Sequence, residues 1–133
     1  VYYISCGQGG GEFLEFVQLA LFERTRKGVL NDLELKAVED ALLANPRAGV
    51  VMVNTGGVRK VRAAQEQRGK SGSARVAYLY VPEQATVYFI LAFPKNVQGN
   101  LTAAQKKQVR AVVAQIKGED WPRRRLVNRV QVH

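Results

Sequence analysis

The 133-residue sequence has one cysteine, Cys6, and one histidine, His133. A single cysteine excludes an internal disulfide and any multi-cysteine metal site, and it fits a reducing compartment such as the cytoplasm. With its one histidine at position 133, the chain lacks the means for histidine acid/base chemistry or a histidine-clustered metal centre, so neither a metal nor a cofactor is expected. No apolar run approaches the ~20 residues that a membrane-spanning helix requires. The basic residues do not gather on one long amphipathic helix of the surface-lying kind either, so no membrane is expected as a partner. Acidic residues are scarce as well: 11 Asp and Glu stand against 20 Lys and Arg, a net charge of +9. That imbalance calls for an anionic partner, either nucleic acid or an acidic protein.

What is present points to one globular domain. The length suits a single core, and 47% hydrophobic with 23% charged residues argues against disorder across the whole chain. Residues 1–13 open with a short β-prone patch that runs into Gly9-Gly10-Gly11 and lack the charged start of a signal peptide. They are expected to form a flexible leader, vector-derived or upstream sequence, with a first strand on a glycine hinge as the alternative. Leu14 to Leu19 reads as a strand and Ala20 to Lys27 as a short helix stopped by Gly28. Asn31 with Glu34 three residues on has capping-box spacing, and Leu35, Val38 and Leu42 follow at helical period until Asn45-Pro46. Val50 to Val53 is short and β-branched, and Gly56-Gly57 turns the chain. Val58 to Ala64, Ala74 to Val81 and Thr86 to Phe93 read as three meander strands, the last apolar enough to be buried on both faces. Thr102 with Gln105 repeats the capping spacing before a final helix whose stripe is Val109, Val112, Val113 and Ile116, ended by Gly118. The expected fold is α+β: an antiparallel sheet with the N-terminal helices and the C-terminal helix packed mainly on one face.

The densest cationic stretch in the body of the chain lies between Gly57 and Val76, where Arg59, Lys60, Arg62, Arg68, Lys70 and Arg75 face a single acid, Glu66. Strand alternation sends Lys60 and Arg62 to one face and Val61 and Ala63 to the other, and Arg75 opens the neighbouring strand. The Gly and Ser content of the intervening loop permits close backbone approach to a phosphate. On these residues alone, a solvated basic hairpin and a plain RNA-binding patch stand beside a catalytic reading. Tyr78, Tyr80 and Tyr88 are stacking candidates, although aromatics in strands are more often core.

The stretch Gly56 to Phe93, GGVRKVRAAQEQRGKSGSARVAYLYVPEQATVYFILAF, resembles the core of RelE/HigB-type toxins of type II toxin-antitoxin systems. In that family a G-x-K/R-K-x-R strand precedes a GK-x-G-x-x-R-V-x-Y strand. Pro94-Lys95-Asn96 and Asn100-Leu101-Thr102 resemble the turn and helix start that follow, LFERTRKGVLND and Leu42 to Pro46 fit upstream, and the resemblance spans roughly Leu14 to Lys117. It divides the chain into a leader (1–13), a toxin domain (14–117) and a basic tail (118–133). It implies a microbial RNase-like fold that enters the ribosomal A site and cuts messenger RNA without a metal, the 2′-hydroxyl attacking the adjacent phosphate. It further implies an acidic cognate antitoxin of helix-turn-helix type.

By position, Lys60, Arg62, Arg75 and Lys95 match the family's catalytic cations, and Arg59, Arg68, Lys70 and Tyr78 fall where RNA or ribosome contacts are expected. Arginine keeps its proton, so Arg62 and Arg75 suit phosphate clamping, whereas Lys60, crowded by Arg59 and Arg62, suits proton transfer under pressure from their positive charge. Some family members use a C-terminal tyrosine or histidine to protonate the leaving oxygen, and the matched region here has neither. The alternatives are a gyrase-binding ParE-like toxin and a non-catalytic RNA-binding protein.

Overall fold

The computed structural model describes residues 3–9, 12–64, 73–94 and 101–118. Six strands and three helices follow one another as β1 (Tyr3–Gly9), β2 (Glu12–Gln18), α1 (Ala20–Arg26), α2 (Asp32–Ala44), β3 (Val50–Val51), β4 (Arg59–Ala64), β5 (Ser73–Val81), β6 (Thr86–Pro94) and α3 (Ala103–Gly118), with a one-turn 3-10 helix at Pro82–Gln84. The α+β class expected from the sequence holds. Residues 3–9, expected within a flexible leader, instead form β1, which pairs antiparallel with β2 from Tyr3↔Gln18 to Gly9↔Glu12. A β-prone run needs only an open sheet edge to pair, and β2 provides it.

The strands lie in the order β1-β2-β6-β5-β4-β3. Neighbours are antiparallel except β2 and β6, which run parallel through Glu15↔Thr86 to Gln18↔Phe89. The apolar run of β6 is thereby enclosed between β2 and β5, and its residues are buried from Thr86 to Phe93. Between Ala77 and Tyr78 the β5–β6 register steps from Leu91 to Phe89, so Ile90 is an extra, bulged residue.

Two cores result, one on each face of the sheet. Phe22 of α1 and Leu35, Val38 and Leu42 of α2 pack with Phe16, Val76, Val87 and Phe89. Val109 and Val113 of α3 pack with Ala77, Leu79, Leu91 and Phe93. The helices are therefore divided between two faces and not gathered mainly on one. The reason is visible in β5 and β6, whose alternate residues are apolar on both sides, so a second helix is needed to cover the second face. Both expected capping boxes are present. Asn31 Oδ1 accepts from the Glu34 N–H at 2.8 Å while Glu34 Oε1 accepts from the Asn31 N–H at 2.8 Å. Thr102 Oγ1 accepts from the Gln105 N–H at 3.1 Å and Gln105 Oε1 accepts from the Thr102 N–H at 3.0 Å. Among the described residues no helix is long and apolar enough to cross a membrane.

Candidate nucleic-acid interface

Antiparallel pairing of β4 with β5 sets Arg62 directly opposite Arg75 and Lys60 opposite Ala77. Residues opposite each other on neighbouring strands share a face, and so do residues two apart on one strand. Lys60, Arg62 and Arg75 therefore project from the same side of the sheet. The alternate residues, Ala63 and Val76, are buried in the α1–α2 core, with Val61 packed against it, which leaves the pleat no freedom to turn over. The cationic face is thus the one that α3 covers elsewhere, where Ala77, Leu79 and Phe93 belong to its core.

Like charges directly opposite each other on a sheet are destabilising, so the Arg62–Arg75 pair opposes folding unless an anion lies between them. Arg62 is exposed and Arg75 half-buried. Among the described residues, the buried Arg75 Nη1 has no hydrogen-bond partner. Phe93 lies across from Arg75 on β6, so one wall of this patch is apolar and weakly screening. Forked guanidinium donors of this kind have the geometry to clamp a phosphate, with a lysine on the same face.

The other residues expected here divide into two groups. Arg59 shares the opposite face with Val61: its Nη1 donates to the Gly49 carbonyl at 2.7 Å and, more weakly, to the Arg47 carbonyl at 3.4 Å, so it braces the Pro46–Gly49 loop. The positive charge beside Lys60 on its own face therefore comes from Arg62 and Arg75 and not from Arg59. Tyr78 is fully buried in the α1–α2 core and offers no ring to a base. Arg68, Lys70 and Lys95 lie outside the described residues. Tyr88 is also buried, its hydroxyl donating to Gln84 Oε1 at 3.0 Å. Tyr80, half-buried, lies under the Arg47 guanidinium at 5.2 Å from its ring centre.

Tyr78 has a different role, which the sequence pattern does not reveal. Its hydroxyl donates to the Pro46 carbonyl at 2.9 Å and accepts from the Gly49 N–H at 3.0 Å, fastening the loop that leads into β3. Gly49 is required at this approach, because a β-carbon there would lie 2.6 Å from the Lys60 carbonyl oxygen. Only tertiary packing brings residues 29 to 32 apart into these bonds, and no periodicity announces it. Burial pushes the Tyr78 phenol above its ordinary value, opposed by the Gly49 hydrogen bond and the Arg59 charge. The folded protein thus holds this proton more tightly than the unfolded chain, whose tyrosines titrate near ~10. The resulting stabilisation is complete below that pH and is lost as pH rises through the folded value. Tyr78→Phe is expected to cost about 1–3 kcal/mol at neutral pH, because it leaves the Gly49 donor unpaired. Chemical denaturation should also show that the alkaline fall in stability from this group has disappeared.

A separate cleft on the α1–α2 side is lined by Gln18, Arg26, Asp32 and Lys36, among others. Its central cation is already engaged: Arg26 donates to Gln18 Oε1 at 3.0 Å and to the Leu30 carbonyl at 3.2 Å, and pairs with Asp32. Among the described residues no group of His, Cys, Asp and Glu side chains could hold a metal ion. The family model described as "RelE toxin of RelE / RelB toxin-antitoxin system" matches residues 17–121.

Proposed function

The chain belongs to the RelE toxin family, and from that premise we propose that it is a ribosome-dependent endonuclease of messenger RNA, of the RelE/HigB type. The observation that supports this most is the Arg62–Arg75 cross-strand pair with Lys60 on the same face. Membership of the family makes the protein a toxin with a cognate antitoxin. The proposed antitoxin is acidic and of helix-turn-helix type, and it neutralises the toxin by covering cationic surface. The working domain is taken as residues 14–117 and residues 118–133 as a basic tail, with action in the cytoplasm where message is translated.

In the proposed reaction the message is held in the ribosomal A site with one phosphate between Arg62 and Arg75. Lys60, the one member of the trio able to give up a proton at all, accepts the proton of the adjacent 2′-hydroxyl. The 2′-oxygen attacks phosphorus and the bond to the 5′-oxygen breaks, leaving a 2′,3′-cyclic phosphate and, once the leaving oxygen is protonated, a 5′-hydroxyl. Charge accumulates on the phosphate oxygens as this proceeds, and the two guanidinium groups are aimed at it. Lys95, placed after β6 by the resemblance, is proposed as a further cation for this charge. Arg68 and Lys70, on the β4–β5 connection, are proposed contacts to RNA backbone.

The test is primer extension on ribosome-bound message after addition of the chain. Codon-phased cuts are expected with the parent and not with Arg75→Ala. Intact message together with DNA breaks would replace this reading with gyrase binding. Intact message with tight, salt-sensitive RNA association would leave a binding protein without chemistry.

A further inference from the structure

On either side Lys60 has short or irregular pairing. Its outer neighbour is β3, a strand of two residues that supplies only the pairs Val50↔Lys60 and Val51↔Arg59. Its inner neighbour is Ala77, the residue at which the β5–β6 register steps. Strands in globular proteins usually run about 3–10 residues, so two ladder pairs are too few to hold β3 by themselves. The loop ahead of β3 is held instead, and from the other face of the sheet. Both backbone groups of Gly49 are taken there: the Tyr78 hydroxyl accepts from its N–H at 3.0 Å, and Arg59 Nη1 donates to its carbonyl at 2.7 Å. The same hydroxyl donates to the Pro46 carbonyl at 2.9 Å. Gly49 is buried between the Tyr78 ring and the backbone of Lys60, since a β-carbon on it would lie 3.0 Å from the ring and 2.6 Å from the Lys60 carbonyl oxygen.

We infer that Tyr78 is a positioning residue for Lys60: its hydroxyl, with the Arg59 guanidinium, holds Gly49 and β3 against the backbone of β4 and so sets where the lysine amine stands. The inference rests on the nuclease reading above, in which Lys60 takes the proton of the 2′-hydroxyl. The contact runs through the backbone, from the phenol to Gly49, and from Gly49 to the Lys60 carbonyl and to Val50, the ladder partner of Lys60. Proton transfer is the step that feels such a hold most. A guanidinium attracts a phosphate over a range of distances, whereas a base must come within about 2.6–3.2 Å of the oxygen it deprotonates. A misplacement on the order of 1 Å can cost about 10²-fold in rate. Tyr78 acts at one remove, because it is fully buried on the α1–α2 side and Lys60 projects from the other. Without the hydroxyl Gly49 keeps one of its two holds, β3 loosens, and the stretch of β4 that carries Lys60 loosens with it.

Tyr78→Phe keeps the ring and removes the hydroxyl, and its single-turnover cleavage on saturating ribosomes, measured well below its melting temperature, tests this. A loss of about tenfold is expected, with ribosome affinity within about twofold of the parent. In a Lys60→Ala background, followed over long incubation, the same change should cost less than about twofold, because no amine is left to position. Hydrogen–deuterium exchange of the free chain should be faster at the Gly49, Val50 and Val51 amides in Tyr78→Phe. A tyrosine that serves stability alone would leave the rate of the folded protein unchanged, and that result overturns the inference. So does a loss of equal size with and without Lys60, or unchanged exchange at residues 49–51. Should Tyr78→Phe not fold, Arg59→Lys, which keeps the charge but not the bonds to the Gly49 and Arg47 carbonyls, is judged by the same results. A parent that cuts no message removes the nuclease reading and this inference with it, whereas a parent and a Tyr78→Phe protein that cut equally well remove this inference alone.

Discussion

Lys60→Ala is expected to lower the single-turnover rate of cleavage on the ribosome by about 10²–10⁴-fold, the usual contribution of a positioned acid/base group. Ribosome affinity should change little, because one cation of the net +9 is removed. The loss would fall on the rate and not on binding, since proton removal matters only as the 2′-oxygen attacks. Lys60→Arg separates the two services a lysine can perform. It keeps the charge beside Arg62 and Arg75 but supplies a group that does not give up its proton. Activity of Lys60→Arg equal to the parent would mean that Lys60 acts by charge alone. Activity as low as that of the alanine variant supports proton transfer. Arg75→Ala should cost about 10²–10³-fold, the scale of one lost donor at a developing oxyanion.

Phe89→Ala is expected to produce the largest loss of stability among single core changes, about 3–5 kcal/mol. The Phe89 side chain is fully buried, stacked between Phe16 at 5.7 Å and Phe22 at 5.1 Å between ring centres. It therefore joins three elements, β2, β6 and α1, and an alanine would leave a cavity that none of them can fill without shifting. Domains of this size have total stabilities on the order of 5–15 kcal/mol. A drop in Tm on the order of 10–20 °C should follow in thermal unfolding. Phe89→Leu, which retains most of the volume, should cost much less. A Phe89→Ala protein melting within 3 °C of the parent, at about ~1 kcal/mol, would show the core collapsing around the gap.

Much of this architecture can be read from local pattern. Asn31 and Thr102 each stand three residues before a side chain that returns the hydrogen bond, and both helices begin there. Lys60 and Arg62 alternate with Val61 and Ala63, so their shared face follows from the pleat alone. Pairing across the sheet is less accessible. Arg62 meets Arg75 only through the β4–β5 register, and the parallel contact of β2 with β6 joins residues about seventy apart with no signal in either strand. The face that α3 covers is not legible either, because its stripe of Val109 and Val113 says that it packs, not on what. Arg59 and Tyr78, a cation and an aromatic in a basic hairpin, have the chemistry of RNA contacts. In the fold their hydrogen bonds go to the carbonyls of Pro46 and Gly49 and the Gly49 N–H, which belong to a loop that composition does not connect to them.

The bulge at Ile90 makes the protein's response to a change in chain length depend on where it falls. Along most of β5 or β6, loss of one residue would send every later side chain to the wrong face. At Ile90 the strand already has one residue more than its partner, and Leu91 beyond it faces α3 just as Ile90 does. Deleting Ile90 while holding the Tyr78↔Phe89 pairing would leave Leu91 opposite Ala77, Ala92 opposite Val76 and Phe93 opposite Arg75, each on the face it already occupies. The apolar wall behind the Arg75 guanidinium would stay in place, and the loss would be confined to one buried side chain under α3. The odd residue thus marks the position along β6 at which the strand can lose a residue without its two halves falling out of step.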